Sequence, residues 1–474
     1  MTQIEQFDVL IFGGGTGGKL TAWTSAKEGL RTAVVERGLV GGSCPNIACL
    51  PTKNVIHSAK VADFVRHDRD FGIGTEPASA SIAAVRARKR NMVDGLVSTH
   101  LDKYKASGAQ LVFGEGSFVA QKTIEVRVKD EGVRTLRGDR VFLNLGTHAA
   151  IPDIPGLRAA KPLTHVEALE LDHLPTHLIV IGGGYVGLEF AQAYARFGSR
   201  VTMLERGPQL LAKEDKDVAA VLLEFLRQDG VDVRLNTATV QVDGCSGSGV
   251  RVTLQTPAGP VTLGGSDILV AAGRVPNTHN IGLEKTDVTL DARGFIQVNE
   301  RLETTAPDIW ALGECAGSPQ FTHVSEDDFK IVHSNLHGGS RTTRDRLIPF
   351  CLFTDPEYAR VGLSELEAAN AGISCRVAKL PMDAVLRART LSETRGFMKA
   401  LVRNDSDEIL GFTAIGPQAG EVMSVVQTAM MGKLPYTALR DAIYTHPTMA
   451  EGLGPLFGEV PARTHLSATT ASHN

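Results

Sequence analysis

Phe7-Asp8-Val9-Leu10-Ile11-Phe12-Gly13-Gly14-Gly15-Thr16-Gly17-Gly18 opens the chain with an apolar run that ends in glycines at G-x-G-x-x-G spacing, Gly13, Gly15 and Gly18. A stretch of helical character follows, then a second strand-like run, Thr32-Ala33-Val34-Val35-Glu36, that ends in an acid. The unit recurs as Leu178-Ile179-Val180-Ile181, then Gly182, Gly184 and Gly187, then Val201-Thr202-Met203-Leu204-Glu205. The first glycine permits a tight turn, the second lets backbone approach a pyrophosphate, and the third lets helix pack on strand. The helix N-terminus then faces the anion. Glu36 and Glu205 stand about 20 residues beyond their glycines, where a carboxylate can accept hydrogen bonds from ribose hydroxyls. One such motif is weak evidence, but two complete units predict an α/β protein with two Rossmann-like dinucleotide-binding domains. Two dinucleotide sites imply an electron relay between a flavin and a nicotinamide, without saying which module holds which. An acid at Glu205 repels a 2′-phosphate and favours NADH over NADPH, with Arg206 beside it softening the preference.

At 474 residues the chain is too long for one ordinary core, so several domains are expected. Its net charge of −4 gives no field that would gather nucleic acid or anionic lipid. No apolar stretch approaches the roughly 20 residues that span a bilayer, and the N-terminus has no basic start before an apolar run. Neither a nucleic-acid nor a membrane partner is therefore expected, and the cytoplasm is the expected location. The first module occupies 1–150 and the second 151–276, closing on Asp267-Ile268-Leu269-Val270-Ala271-Ala272-Gly273-Arg274-Val275-Pro276-Asn277. A segment at 277–345 rejoins the first module, a final α/β region follows at 346–460, and a Ser-, Thr-, Ala- and His-rich tail at 461–474 is expected to be mobile.

Six cysteines are too few for a disulfide scaffold, and Cys245, Cys315, Cys351 and Cys375 are scattered. Cys44 and Cys49 differ, lying together in Gly41-Gly42-Ser43-Cys44-Pro45-Asn46-Ile47-Ala48-Cys49-Leu50-Pro51-Thr52-Lys53. Positions five apart in a regular helix have Cα atoms about 8.6 Å apart, beyond disulfide range. Pro45 at a first helical position would put Cys44 at the cap, with a helix N-terminus to stabilise its thiolate. Lys53, one turn past Cys49, is either a cation near a reduced flavin or thiolate, or an ordinary solvent-facing lysine. No second cysteine or Cys-His pair at ligand spacing supports a zinc site, so no metal is assigned. Arg86, Arg88, Lys89 and Arg90 read as a solvated helix face.

The segment from Gly41 to Lys53 resembles the redox signature G-G-[TS]-C-x-N-x-G-C-x-P-[TS]-K of the class I pyridine nucleotide-disulfide oxidoreductases, the family of dihydrolipoamide dehydrogenase, glutathione reductase and mercuric reductase. It departs at Ala48, where glycine is usual, and at Pro45, where an aliphatic residue is usual. The resemblance runs from about Phe7 to about Glu459 and implies a redox-active Cys44-Cys49 disulfide in an FAD enzyme with one flavin per subunit. It makes Cys44 the thiol that attacks substrate and Cys49 the thiol beside the flavin, forming a charge-transfer complex with it. Lys53 would lie near the flavin N5 and pair with Glu189, and Tyr185 would gate the nicotinamide pocket. Gly13, Gly15, Gly18, Glu36, Gly42, Ser43, Lys53, Gly116 and Gly146 would hold FAD, and Gly182, Gly184, Gly187, Glu205 and Gly273 would hold the nicotinamide nucleotide. Trp310-Ala311-Leu312-Gly313-Glu314-Cys315 matches a G-D motif for the ribityl chain, with Glu314 one methylene longer than the usual aspartate.

Tyr444-Thr445-His446-Pro447-Thr448-Met449-Ala450-Glu451 resembles the H-P-T-x-x-E motif, whose histidine acts as acid-base in the other subunit's site. This implies an obligate homodimer with a C-terminal α/β dimerisation domain. A His-Glu pair is sound for that role, because imidazole gives and takes protons near neutral pH. Phe353-Thr354-Asp355-Pro356, Leu386-Arg387-Ala388-Arg389, Glu393-Thr394-Arg395-Gly396-Phe397 and Met449-Ala450-Glu451-Gly452-Leu453 resemble the mercuric-reductase branch and a related bacterial enzyme handling copper and hypothiocyanous acid. Mercuric reductase relays metal through a C-terminal cysteine pair, and no cysteine follows Cys375 here. A disulfide or oxidised-sulfur small molecule is therefore the expected substrate, with Hg(II) or Cu(II) reduction and dihydrolipoamide oxidation as alternatives. Quinone or oxygen reduction and a non-enzymatic redox sensor stand further off. Arg387 and Arg389 either guide an anion or form surface or interface contacts.

Overall fold

The computed structural model describes residues 3–74, 79–129, 131–344 and 346–463. The tail expected to be mobile lies outside the described residues beyond 463. In chain order the first elements are β1 (Ile4–Phe12), α1 (Thr16–Lys27), β2 (Thr32–Glu36), α2 (Ser43–Asn46), α3 (Cys49–Arg66) and α4 (Ile82–Ser107). Then come β3 (Gln110–Ala120), β4 (Thr123–Val128), β5 (Gly132–Leu143), β6 (Thr147–Ala149), α5 (His165–Ala168), β7 (His177–Ile181), α6 (Tyr185–Phe197) and β8 (Arg200–Leu204). The middle of the chain adds α7 (Lys216–Gln228), β9 (Val231–Arg234), β10 (Ala238–Cys245), β11 (Gly249–Thr256), β12 (Gly259–Gly265), β13 (Asp267–Val270), β14 (Arg274–Pro276), β15 (Ile309–Ala311) and α8 (Thr322–Leu336). The last part holds β16 (Phe350–Leu352), β17 (Glu357–Gly362), α9 (Glu365–Asn370), β18 (Cys375–Pro381), α10 (Leu386–Thr390), β19 (Phe397–Arg403), β20 (Ile409–Gly416), α11 (Ala419–Met431), α12 (Tyr436–Arg440) and α13 (Leu453–Gly458).

Two compact units form. One comprises Met1–Gly182, Ala193–Leu204 and Thr237–Arg346, the other Gly183–Gln192, Glu205–Asn236 and Leu347–Asn474. In the first unit β1 lies in parallel between β2 and β5, with β3 beyond β2 and β15 beyond β5. Strands on both sides, helices α1, α4 and α8 over the face of Val9 and Ile11, and β4 with residues 283–315 over the face of Leu10 explain why all three are buried rather than alternating. The antiparallel strand β4 bridges β3 and β5. The second repeat builds the same way, with β7 in parallel between β8 and β13. Beside it stands the antiparallel meander of β10, β11 and β12.

The second unit is built on a five-stranded antiparallel sheet, ordered β16-β17-β20-β19-β18. Its core includes Phe412, Val426, Leu453 and Phe457. On its inner strand β19, Lys399, 1% exposed, donates to Asp215, Asp217 and Glu365, so the buried ammonium is neutralised by three carboxylates.

Of the cluster Arg86, Arg88, Lys89 and Arg90, Arg88 and Arg90 are exposed as a solvated face requires, whereas Lys89 is not. Lys89 is 1% exposed and pairs with Glu170, which also takes Arg90, while Arg86 pairs with Asp172 and Arg88 bonds Asn54. Glu170, some 80 residues away, supplies the charge that makes burial of Lys89 tolerable.

Candidate active site

In the first glycine loop Gly13 has φ +99°, and a Cβ there would stand 2.3 Å from the Asn144 carbonyl oxygen. A Cβ on Gly15 would meet Asn144 Oδ1 at 2.5 Å, and one on Gly18 the Gly13 oxygen at 2.2 Å. Asn144 was not singled out by sequence. It follows the buried C-terminal end of β5, accepts from Gly18 N at 3.0 Å and donates to the Leu312 oxygen at 2.8 Å. Gly13→Ala is expected to cost roughly 1–3 kcal/mol and to lower the flavin-to-protein absorbance ratio. Wild-type thermal unfolding and flavin content in that variant would contradict the geometry.

The two terminal acids are set alike. Glu36 accepts from Gly14 N through Oε2 at 2.8 Å and from Gly38 N through Oε1 at 2.9 Å. Glu205 accepts from Gly183 N through Oε2 at 2.8 Å and from Gly207 N through Oε1 at 2.7 Å. Each carboxylate thus stiffens its own glycine loop while keeping lone pairs for a ligand. A Cβ would find open space at Gly184 and Gly273, so backbone at both leaves room for a cofactor. Gly146 (φ +64°) is similarly open, with only Asn277 Nδ2 at 4.0 Å. Gly42 (φ +83°) packs against Gly15, a Cβ there falling 2.6 Å from the Gly15 Cα, and Gly116 packs beneath Phe12 and Val35. Glu314 reaches Thr147 and, at 3.2 Å, Arg274 Nε, so its extra methylene is taken up by a local hydrogen-bonded cluster. Loop glycines that tolerate no Cβ, a helix N-terminus without a side-chain cap at Gly15, and a buried acid at Glu36 form a cradle that fits a dinucleotide.

The redox segment differs from its sequence reading in one respect. Cys44 is not a cap: Gly42 caps the four-residue α2, and the regular helix α3 starts at Cys49 after Ala48 (φ −132°, ψ −107°). The break at Ile47 and Ala48 brings the two cysteines together, and Cys49 gains the helix N-terminus. The Cys49 thiol hydrogen-bonds Cys44 and pushes its pKa up, burial adds to this, and Lys19 pulls it down. Cys49 Sγ also lies 3.4 Å from the Thr322 hydroxyl, at the start of α8. Lys53 lies half-buried on α3, and Ser43 opens α2.

Lys19 is the residue here that sequence reading missed. It is 9% exposed, and Nζ lies 3.3 Å from the Gly41 oxygen and 2.9 Å from His100 Nε2. His100 Nδ1 stands 2.7 Å from the Leu96 carbonyl oxygen, which can only accept. The imidazole is therefore neutral with its proton on Nδ1, and Nε2 accepts from the ammonium. Burial pushes the Lys19 pKa down and the neighbouring Cys44 raises it. Lys19→Met is expected to raise the thiol pKa, so that iodoacetamide alkylates Cys44 more slowly at pH 7, about tenfold per pKa unit gained. Lys19→Arg should retain most of the rate, and an unchanged rate in Lys19→Met would remove Lys19 from this role.

In the second unit Glu189 is 5% exposed and accepts from Phe353 N at 3.0 Å. The Tyr185 phenol, at the start of α6, is pushed well up by burial. His446 Nδ1 lies 2.8 Å from Glu451 Oε2, with the imidazole 66% exposed and the carboxylate 18%. The carboxylate fixes the ring while the other nitrogen faces outward. Arg387 bonds Thr390 and Arg389 the Asp383 oxygen, both local to α10.

The pyridine nucleotide-disulphide oxidoreductase family model matches residues 7–328, and that of the family's dimerisation domain matches 348–456. A probable pyridine nucleotide-disulfide oxidoreductase of Escherichia coli K12, RclA, is 35% identical over 464 residues, covering 96% of this chain and 100% of RclA. A mercuric reductase of Shigella flexneri is 33% identical, covering 94% of this chain and 79% of the reductase, and a dihydrolipoyl dehydrogenase of Thermus scotoductus is also 33% identical, covering 95% and 96%. A solved Cu(II) complex of the HOCl-induced flavoprotein disulfide reductase RclA superposes with a TM-score of 0.86 at 34% identity, covering 96% of this chain and 99% of that one. Among the described residues, no helix is long and apolar enough to cross a membrane.

Proposed function

The chain belongs to the pyridine nucleotide-disulphide oxidoreductases and is an FAD-dependent enzyme of that family, and from that premise we propose that it uses NADH to reduce a small disulfide or oxidised-sulfur substrate through Cys44 and Cys49. The observation that carries this reading is the facing Cys44-Cys49 pair, set between Lys19 and Thr322 on the unit that carries the first glycine loop. FAD held there would supply two-electron transfer from the nicotinamide to the Cys44-Cys49 disulfide, which with the hydride's proton and one from solvent becomes two thiols. Gly13, Gly15, Gly18, Glu36, Gly42, Ser43, Lys53, Gly116, Gly146 and Glu314 would hold it. Gly182, Gly184, Gly187, Glu205 and Gly273 would hold the nicotinamide nucleotide, with Tyr185 as its gate, and Lys53 and Glu189 would each supply a charge to the reaction.

The Cys44 thiolate then attacks a substrate sulfur, forming a mixed disulfide and expelling the first thiolate. Cys49 attacks the Cys44 sulfur, expelling the second and re-forming the Cys44-Cys49 disulfide, so two electrons leave with two thiols. His446, held by Glu451, returns a proton to the leaving sulfur. The exposed imidazole supports its acting on a second copy of the chain, in a homodimer formed through residues 346–460. Residues 1–150 and 277–345 would bind FAD and 151–276 the nicotinamide, in a cytoplasmic enzyme.

Glu205→Gln is expected to lower the preference for NADH over NADPH by about tenfold, through loss of the charge facing a 2′-phosphate. Paired kcat/KM measurements check it, and an unaltered ratio would move specificity elsewhere. Anaerobic turnover against lipoamide, glutathione disulfide, hypothiocyanous acid, quinones, Cu(II) and Hg(II) tests the substrate class. The Cu(II) complex of RclA favours metal-ion reduction as a second reading, and turnover confined to the metals would establish it over the first.

A further inference from the structure

At the ends of α1 and α8, away from the cysteines, three ligating side chains converge. Glu28 is the C-cap of α1, and His333 and His337 stand four residues apart at the end of α8. Glu28 Oε1 lies 2.9 Å from His333 Nε2 and 3.6 Å from His337 Nε2, and one ligand atom from each residue falls within 4.8 Å of the others. Ligands on a tetrahedral metal at about 2.0–2.1 Å stand about 3.3 Å apart, a value these two distances bracket.

The His337 ring is oriented by its own helix. His337 Nδ1 lies 2.8 Å from the His333 carbonyl oxygen, which only accepts, so Nδ1 carries a proton and donates it. Nε2 is then the ring nitrogen that faces the Glu28 carboxylate. Backbone-held imidazoles of this kind are the usual form of a metal-bound histidine. Nε2 of both rings converges on one carboxylate oxygen, so a cation that displaces the proton shared by Glu28 and His333 would find three ligand atoms in place, and the negative ends of two helices add to its attraction. The three side chains also line a cavity of about 50 Å³, shared with Arg140 and Phe142 and large enough for a water.

We propose that Glu28, His333 and His337 form a divalent transition-metal site, of His₂Glu composition with an open fourth position. Imidazole and one carboxylate select Zn²⁺-like ions over Mg²⁺ and Ca²⁺, which require oxygen-rich shells. The site is independent of the redox reading. Its ion would join the distal ends of two helices already linked near their starts, where Gly17 N donates to Ser325 Oγ at 3.1 Å. The effect is a clip on the first unit.

The test is calorimetric titration of untagged, full-length, flavin-loaded Cys44→Ser/Cys49→Ser protein with ZnCl₂, so that the dithiol cannot compete. One equivalent should bind per subunit and raise the unfolding temperature. Adding Glu28→Gln or His337→Gln should weaken binding by at least about tenfold, the least that losing even an outer partner costs. Both changes are on exposed caps, and retained flavin absorbance shows that each variant folds. MgCl₂ should produce neither heat nor shift. The proposal is overturned if zinc does not bind, if both variants keep the parent affinity, or if Mg²⁺ binds equally well.

Discussion

Cys44→Ser is expected to lower turnover with every disulfide substrate by about 10³-fold or more, while leaving flavin binding and reduction by NADH intact. A serine hydroxyl at this position cannot be ionised near neutral pH, whereas the thiol it replaces is assisted by the buried Lys19 ammonium. The partner substitution should fail differently. With Cys49→Ser the first displacement still proceeds, but nothing resolves it, so the substrate thiol should stay attached to Cys44 as a mixed disulfide visible by intact-protein mass spectrometry. If Cys44→Ser kept full activity with disulfides, the cysteines would be bystanders and reduction would occur at the flavin itself. Quinone reduction by the same variant is the internal control, since that chemistry needs no thiol.

His446→Ala is expected to reduce kcat with disulfide substrates by about 10²–10⁴-fold, the usual worth of a positioned acid-base group. Glu451→Ala should cost less, because it removes the hydrogen bond at 2.8 Å that orients the ring but leaves the imidazole. Exposure of the imidazole makes a further outcome decisive. When inactive Cys44→Ser and inactive His446→Ala subunits are mixed and re-assembled, a heterodimer acting in trans holds one site with both Cys44 and His446. Activity should then return to about half the wild-type value per heterodimer by that count of sites. No recovery after verified exchange would place His446 in its own subunit's site, or outside catalysis.

What could be read in the sequence was what neighbouring residues encode. Gly13, Gly15 and Gly18, and again Gly182, Gly184 and Gly187, mark places where backbone must turn or be approached, and the acids Glu36 and Glu205 close each unit at a fixed distance. The structure gives both acids the same pair of main-chain donors, so the repeat extends to individual hydrogen bonds. The spacing of Cys44 and Cys49 excluded a regular helix between them, but not where the chain would break. Pro45 drew attention to Cys44, whereas the helix starts at Cys49 because Ala48 leaves helical geometry.

The misread basic cluster shows the limit most clearly. Arg86, Arg88, Lys89 and Arg90 have the composition of a wet surface, and only the folded chain brings Glu170 and Asp172 to it and lets Lys89 be buried.

By itself the sequence determined two dinucleotide modules, a paired-cysteine segment and a terminal His-Glu motif, because each is written in short-range spacing and residue chemistry. Tertiary structure alone decided that Lys19 and His100 sit beside the redox loop, that Thr322 touches Cys49, and that Asn144 locks the first glycine turn. Lys19 reaches the Gly41 oxygen across 22 residues, and the other partners lie from 81 to 273 residues away along the chain. No local pattern records such a separation, since the electrostatics of a thiol depend on which charges the folded chain carries to it and how much water it excludes.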